Sequence, residues 1–255
     1  MIKLRYLIRF SYDGTNFKGY QKQEGYRTIQ EELEKAALKI NDGKSVVVKA
    51  AGRTDKGVHA YKQMAHFDLD VKIKEYSLKK LLNKRLQQEV YVNFIMPIND
   101  NFHARYDCLD KTYKYFINTQ DFDLFKRNYC WQYCQELDLE KMQKASQVLI
   151  GTHDFTLLCK NDPLKENTIR TIKELTITNN SGLIEITIKA DGFLRKMVRN
   201  IVGLLVEVGS GRMDASFVAN YLDKSFNKHN RKVAPSCGLY LASVNYKMPL
   251  ITKKV

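Results

Sequence analysis

The sequence predicts an α+β protein of two βαββαβ halves, and three observations carry that prediction. Apolar residues alternate with polar ones in several short runs, the period of half-buried strands. Between those runs lie segments whose apolar residues recur every three or four positions, as on one face of a helix. The order of runs and stripes in the first part of the chain then recurs in the second without any repeat of the sequence itself.

In the first part, Ile2, Leu4, Tyr6, Ile8, Phe10 and Tyr12 alternate with Lys3, Arg5, Arg9 and Ser11, which predicts a strand. Thr28 followed by Glu31 is a capping box, and Ile29, Leu33, Ala36, Ala37 and Ile40 form one helical stripe behind it. Val46-Val47-Val48 opens a second strand running to about Gly52, and a third covers Met64 to Leu69. Ser77 is placed to cap a second helix with Leu78, Leu81, Leu82 and Leu86 on one side. A strand from Val90 to Met96 completes the split unit of ferredoxin-like folds.

The second part follows the same order. Tyr113 to Ile117 predicts a strand, Leu139 to Ile150 a helix, and Ile172–Ile177 with Leu183–Ala190 two more strands. A helix from Leu194 to Val208, a shorter one at Asp214–Leu222 and a strand from Leu239 to Tyr246 complete the set. The halves are placed at 1–107 and 108–255. With only four prolines and no low-complexity linker, they are expected to pack tightly, their sheets joined and a cleft left between them.

Composition narrows the function. Lys and Arg number 42 against 28 Asp and Glu, a formal net charge of +14 that attracts polyanions, most commonly nucleic acid. A lysine-rich proteome would give the same excess, so charge alone does not decide. No apolar run reaches the length of a membrane span, and the N-terminus lacks the apolar block of a signal peptide. Five cysteines without a framework spacing suit a reducing cytoplasm.

One segment concentrates chemistry. Ala50-Ala51-Gly52-Arg53-Thr54-Asp55-Lys56-Gly57-Val58-His59-Ala60 follows a strand, holds two glycines, and carries Arg, Asp, Lys and His within seven residues. Glycines allow sharp turns and close backbone approach, so the loop can present Asp55 to a ligand. Taken alone it reads equally as a turn bearing surface charges. It has neither Walker spacing nor GxGxxG, so it does not cradle a nucleotide in either known way.

Gly52-Arg53-Thr54-Asp55 with Gly57-Val58-His59-Ala60 resembles the signature of the tRNA pseudouridine synthase A family. The resemblance extends over nearly the whole chain. It includes the opening Tyr12-Asp13-Gly14-Thr15-Asn16-Phe17-Lys18-Gly19-Tyr20-Gln21-Lys22-Gln23 and Thr28-Ile29-Gln30-Glu31. It continues through Phe102-His103-Ala104-Arg105, Lys111-Thr112-Tyr113-Lys114-Tyr115 and Gly151-Thr152-His153-Asp154-Phe155. It ends with Phe193 to Gly203, Ala234-Pro235, Gly238 to Leu241 and Val244-Asn245-Tyr246. The resemblance implies two ferredoxin-like halves joined through a central, mostly antiparallel sheet with helices packed on it and an active-site cleft between the halves. It implies isomerisation of uridine in the anticodon arm of tRNA, typically at positions 38 to 40, by a homodimer that uses no metal and no organic cofactor.

By the same resemblance Asp55 is the catalytic aspartate. The reaction breaks the C1′–N1 bond, turns the uracil and rejoins it through C5. An ionised carboxylate can act on C1′, remove a proton from C2′ or attack the base, and the sequence does not choose among these. Arg199 matches the active-site arginine, whose fork favours and orients a carboxylate. By spacing alone Arg199, with Arg195 and Lys196, lies off the apolar stripe of Leu194, Met197, Val198, Ile201, Leu205 and Val208, on a solvated basic face. Tyr113 matches the tyrosine on which a flipped base rests, although with Tyr115 two positions on it also fits a core strand. Arg53 matches a residue thought to fill the space the flipped base leaves, or contacts a phosphate.

Lys3, Arg5, Arg9, Arg105, Lys114, Arg195 and Lys196 together suit phosphate contacts along a basic groove. Cys130, Cys134, Cys159 and His153 fit no zinc spacing, and histidines 59, 66, 103, 153 and 229 pair with no nucleophile in a known motif. Departures from the family are few. Tyr20 stands where tryptophan is usual, Lys56 where a small residue is, and Gln87-Gln88 where a proline is common. A non-catalytic RNA-binding module is the main rival, but it would not need Asp55, Tyr113 and Arg199 together. A hydrolase using Asp55 and His59 lacks a second carboxylate and an oxyanion-hole motif.

Overall fold

A computed structural model of the chain describes residues 3–86, 88–160, 167–226 and 232–247. Ile2, Gln87 and His229 of the sequence reading therefore lie outside the described residues. The chain divides into two compact units, Met1–Leu109 with Leu241–Val255, and Asp110–Tyr240. Both are α+β, with mostly antiparallel strand pairing. No helix among the described residues is long and apolar enough to cross a membrane.

The first unit runs β1 (Leu4–Tyr12), α1 (Ile29–Leu38), β2 (Lys49–Ala50), β3 (His59–Leu69), α2 (Glu75–Arg85) and β4 (Val90–Pro97). The strand order β4-β1-β3, with β2 on β3, is the ferredoxin-like arrangement that the element order predicts. Central β1 is more buried than its alternation implies. Tyr6, Leu7 and Ile8 are consecutive and all buried, because Leu7 packs with Met64, Ile98, Phe102 and Ala104 on the face opposite Ile8. Tyr246 from the chain's end closes that cluster, its ring 5.1 Å from Phe102 and its hydroxyl donating to the Ala104 carbonyl at 2.7 Å.

Thr28 caps α1 as expected, accepting from the Glu31 N–H. Two other expectations are corrected. Val46 to Val48 do not pair as a strand, because the Val48 N–H is taken at 3.1 Å by the Glu34 carboxylate of α1; only Lys49–Ala50 pairs with β3. Ser77 is no cap either: α2 starts at Glu75 behind Lys74, with no side-chain cap bond. Asn83 ties α2 to β4 by bonding both the N–H and the carbonyl of Val92.

The second unit contains β5 (Cys108–Asn118, from Asp110 on), β6 (Trp131–Gln132), α3 (Leu139–Gln147), β7 (Gly151–Asp154), β8 (Ile169–Asn180), β9 (Leu183–Ala190) and α4 (Met197–Gly209). The short helix expected at Asp214–Leu222 is a 3-10 helix, Ala215–Leu222, capped by Asp214. The strand order is β5-β9-β8-β7, and β10 (Leu239–Tyr246) starts in this unit after the Gly238 carbonyl accepts from the Phe116 N–H. Ser181 and Gly182, both at positive φ, turn β8 into β9.

Helix α4 departs most from its sequence reading. It starts at Met197 rather than Leu194, since Lys196 holds a left-handed φ of 62°. It is buried nearly all round rather than along one stripe, with Asn200, Val202, Leu204 and Val206 inside as well as the predicted apolar residues. Gly203 permits this: a methyl group there would overlap the Lys232 carbonyl, so glycine lets the backbone around Lys232 to Ala234 lie directly on the helix.

Candidate active site

The loop from Gly52 to His59 joins β2 to β3 in the first unit and is held at every second or third residue. Gln63 on β3, fully buried, donates through Nε2 to the Gly52 carbonyl at 3.0 Å. The Thr54 carbonyl accepts from the Tyr20 N–H at 3.0 Å, and Thr54 Oγ1 meets the Tyr12 hydroxyl at 2.8 Å. The Asp55 carbonyl accepts from the Val58 N–H at 3.2 Å, closing a tight turn in which Gly57 has a φ of 75°. His59, 2% exposed, accepts at Nδ1 from the Gly14 N–H at 3.1 Å, with Asp13 Oδ1 also 3.1 Å away.

The opening segment Tyr12 to Tyr20 is thus the brace of this loop. Close approach explains its glycines. A methyl group at Gly14 would overlap the Val58 carbonyl, and one at Gly19, whose φ is +101°, would fall 2.9 Å from the Thr54 carbonyl oxygen. With the backbone pinned, Arg53 and Lys56 are exposed and Asp55 is half-buried between them. Burial pushes the Tyr12 phenol up to about 12, against the hydrogen bonds from Thr54 and Gln63. Burial raises the Tyr20 phenol as well.

Tyr113 and Arg199 belong to the second unit. Tyr113 is 7% exposed on β5 and meets Phe193 edge-on, with ring centroids 4.9 Å apart. Its neighbour on the same face, Tyr115, is fully buried and donates to the Pro235 carbonyl at 2.7 Å. Arg199, in the first turn of α4, donates through Nε to the Ala234 carbonyl at 2.7 Å, while its own carbonyl accepts from the Ala234 N–H at 3.0 Å. A solvated basic face is therefore the wrong description of Arg199. It is half-buried and anchored to the segment that Tyr115 also holds.

Two of the residues offered as phosphate contacts have other work. Arg5 forms a fork with Asp68 at 2.7 and 2.9 Å and also donates to the carbonyls of Asp100 and Phe102. Lys114 is paired with Glu185 at 2.7 Å. Lys3, Arg9, Arg105 and Arg195 are exposed, with Arg9 lying over the Phe94 ring. Sequence reasoning passed over Tyr12, Gln63 and the Ala234–Pro235 segment as parts of the site, because their contacts cross 42, 11 and 35 or more residues of chain.

The chain is similar to known proteins over most of its length. A family model described as tRNA pseudouridine synthase matches residues 8–107 and 145–247. A tRNA pseudouridine synthase A of a Thermoanaerobacter species (strain X514) is 42% identical over 241 residues, covering 94% of this chain and 98% of that protein. The Geobacillus (strain WCH70) protein of the same name is 39% identical over 237 residues, covering 92% and 96%. That of Pseudothermotoga lettingae is 38% identical over 244 residues, covering 95% and 99%.

Proposed function

Because this chain belongs to the tRNA pseudouridine synthase family, we propose that it isomerises uridine to pseudouridine in the anticodon arm of tRNA, at positions 38 to 40. The observation that carries the proposal is the braced loop that holds Asp55 between exposed Arg53 and Lys56. A carboxylate on a fixed backbone needs no neighbouring base to become reactive, whereas an alcohol would.

Asp55 is the catalytic carboxylate in this reading, acting while the C1′–N1 bond breaks and the uracil turns to rejoin through C5. Tyr113 supplies an aromatic surface for the flipped base; such stacking contributes roughly 1–3 kcal/mol per base. Arg199 supplies the guanidinium, already anchored through Nε to Ala234. Arg53, exposed beside Asp55, enters the space vacated by the base or binds a flanking phosphate. Asp55 and Arg53 lie in the half placed at 1–107 and Tyr113 and Arg199 in that placed at 108–255, although Leu241–Val255 groups with the first unit. We take the enzyme to work as a homodimer in the cytoplasm, a setting that suits five cysteines forming no disulfide among the described residues.

Incubation with a complete unmodified tRNA pool, followed by mapping of pseudouridine, tests the proposal. Modification confined to positions 38 to 40 is the expected result. Pseudouridine elsewhere, or none, contradicts it.

A further inference from the structure

We propose that Tyr12, Thr54 and Gln63 are positioning residues for Asp55, joined in a buried hydrogen-bond chain that sets the loop backbone from behind. The inference rests on the assignment of Asp55 as the catalytic carboxylate. Tyr12 ends β1, and the ladder to β3 shifts just before it. Phe10 pairs with Gln63 and Tyr12 with Ala60, so Tyr61 and Lys62 stand opposite Ser11 alone. Such a bulge re-aims side chains at the end of a strand pair.

Gln63 Oε1 accepts from the Met64 N–H at 3.1 Å, which fixes the amide with its nitrogen toward the loop. That nitrogen donates to the Gly52 carbonyl, and the Gln63 side chain also hydrogen-bonds the Tyr12 phenol. Tyr12 in turn shares a hydrogen bond of 2.8 Å with Thr54 Oγ1, in which either hydroxyl can donate. Thr54 is thereby held on both sides, by its side chain and by its carbonyl, which accepts from the Tyr20 N–H. Asp55 is the next residue. Its own carbonyl is held in turn by the Val58 N–H.

None of the three side chains needs to touch RNA, so they act on turnover rather than on affinity. A shift of about 1 Å at a reacting group costs about 100-fold in rate. Thr54→Val keeps the shape and loses the hydroxyl. It is expected to lower kcat about 100-fold with KM for tRNA within about twofold, the mark of an interaction used in the transition state. Thr54→Ser restores the oxygen and should recover kcat to within about threefold of wild type. The double variant Tyr12→Phe/Thr54→Val should be no slower than Thr54→Val, because one link is removed twice. Tyr12→Phe removes a single oxygen, and it carries the test if Thr54→Val does not fold.

Hydrogen exchange of the free protein gives a readout independent of activity. The Val58 amide, bonded to the Asp55 carbonyl, should exchange faster in Thr54→Val and Tyr12→Phe than in wild type, while amides of β1 keep their protection. Wild-type kcat in Thr54→Val, or equal loss in Thr54→Ser, overturns the inference while an active wild type leaves Asp55 in place. A wild type that modifies no tRNA removes the assignment of Asp55 instead. Exchange at Val58 then still decides whether this chain orders the loop, and unchanged exchange overturns it.

Discussion

Tyr20 carries its phenol oxygen into a buried position where, among the described residues, it meets no hydrogen-bond partner. A buried hydroxyl without a partner costs about 1–3 kcal/mol, and here only the ring is needed to fill the space beside the loop. Tyr20→Phe is therefore expected to raise stability by about 1 kcal/mol in urea denaturation with turnover unchanged; a loss of stability would reveal a partner for that oxygen. His66 is satisfied at one ring nitrogen only, its Nε2 being buried without a hydrogen-bond partner among the described residues. It is buried on β3, accepts at Nδ1 from the Ala104 N–H, and lies 4.7 Å ring to ring from His103. Burial, helped by Arg5 and His103, lowers it to about 4. The unfolded chain therefore takes up a proton near pH 6.5 that the folded one refuses until about pH 4. Stability is complete above pH 6.5 and falls as pH drops toward 4, by on the order of 1–3 kcal/mol, and His66→Asn should flatten that slope. An equally steep slope in the variant would assign it to other groups. Neither residue could be judged from its spacing alone. Tyr20 sits in the polar stretch Lys18–Gln23 and His66 in the run Met64–Phe67, and only the fold shows that both are buried and that His66 takes the Ala104 N–H from 38 residues away.

Among the elements, β9 was readable to the residue from its alternation, Leu183–Ala190, because it lies between two strands and its inward face is regular. The Val46-Val47-Val48 run was misread although Val46 and Val48 are buried and Val47 exposed, as in a strand. Alternating burial needs only an extended backbone, and a carboxylate on α1 claims the N–H that would have paired. Helix α4 was misread for a related reason: its second buried side is covered by the backbone around Lys232 to Ala234, some thirty residues away, which local periodicity does not report. That covering predicts the effect of Gly203→Ala. Alanine favours a helix by about 1 kcal/mol, but the added methyl collides with backbone that cannot rotate away, so a net loss of about 2 kcal/mol is expected. Arg199 is anchored to the same segment, so activity should fall with stability. A stabilised, fully active variant in thermal melts would contradict this account of α4. The candidate site was legible in the same uneven way. The Asp55 loop stood out through its family resemblance, while the buried chain behind it depends on strand register and a bulge.

For the whole molecule, a net charge of +14 is the largest single fact, and part of it is spent internally on pairs such as Arg5–Asp68 and Lys114–Glu185. The remainder should act on phosphates. Affinity for folded tRNA is expected to fall by at least about tenfold between roughly 50 and 200 mM salt, and a flat response would rule out phosphate-dominated binding. Binding, however, would also be shown by a module without chemistry. The bond exchange itself separates the two. If uracil is rejoined through C5, that carbon must give up its hydrogen to water. Transfer RNA carrying tritium at uridine C5 should therefore release it with the intact protein. Asp55→Asn keeps the shape of the side chain and the backbone bond to Val58 but removes the ionisable oxygen, and it should bind tRNA and release none. Release by Asp55→Asn at the wild-type rate, or no release by the wild type from any unmodified tRNA, would contradict the account.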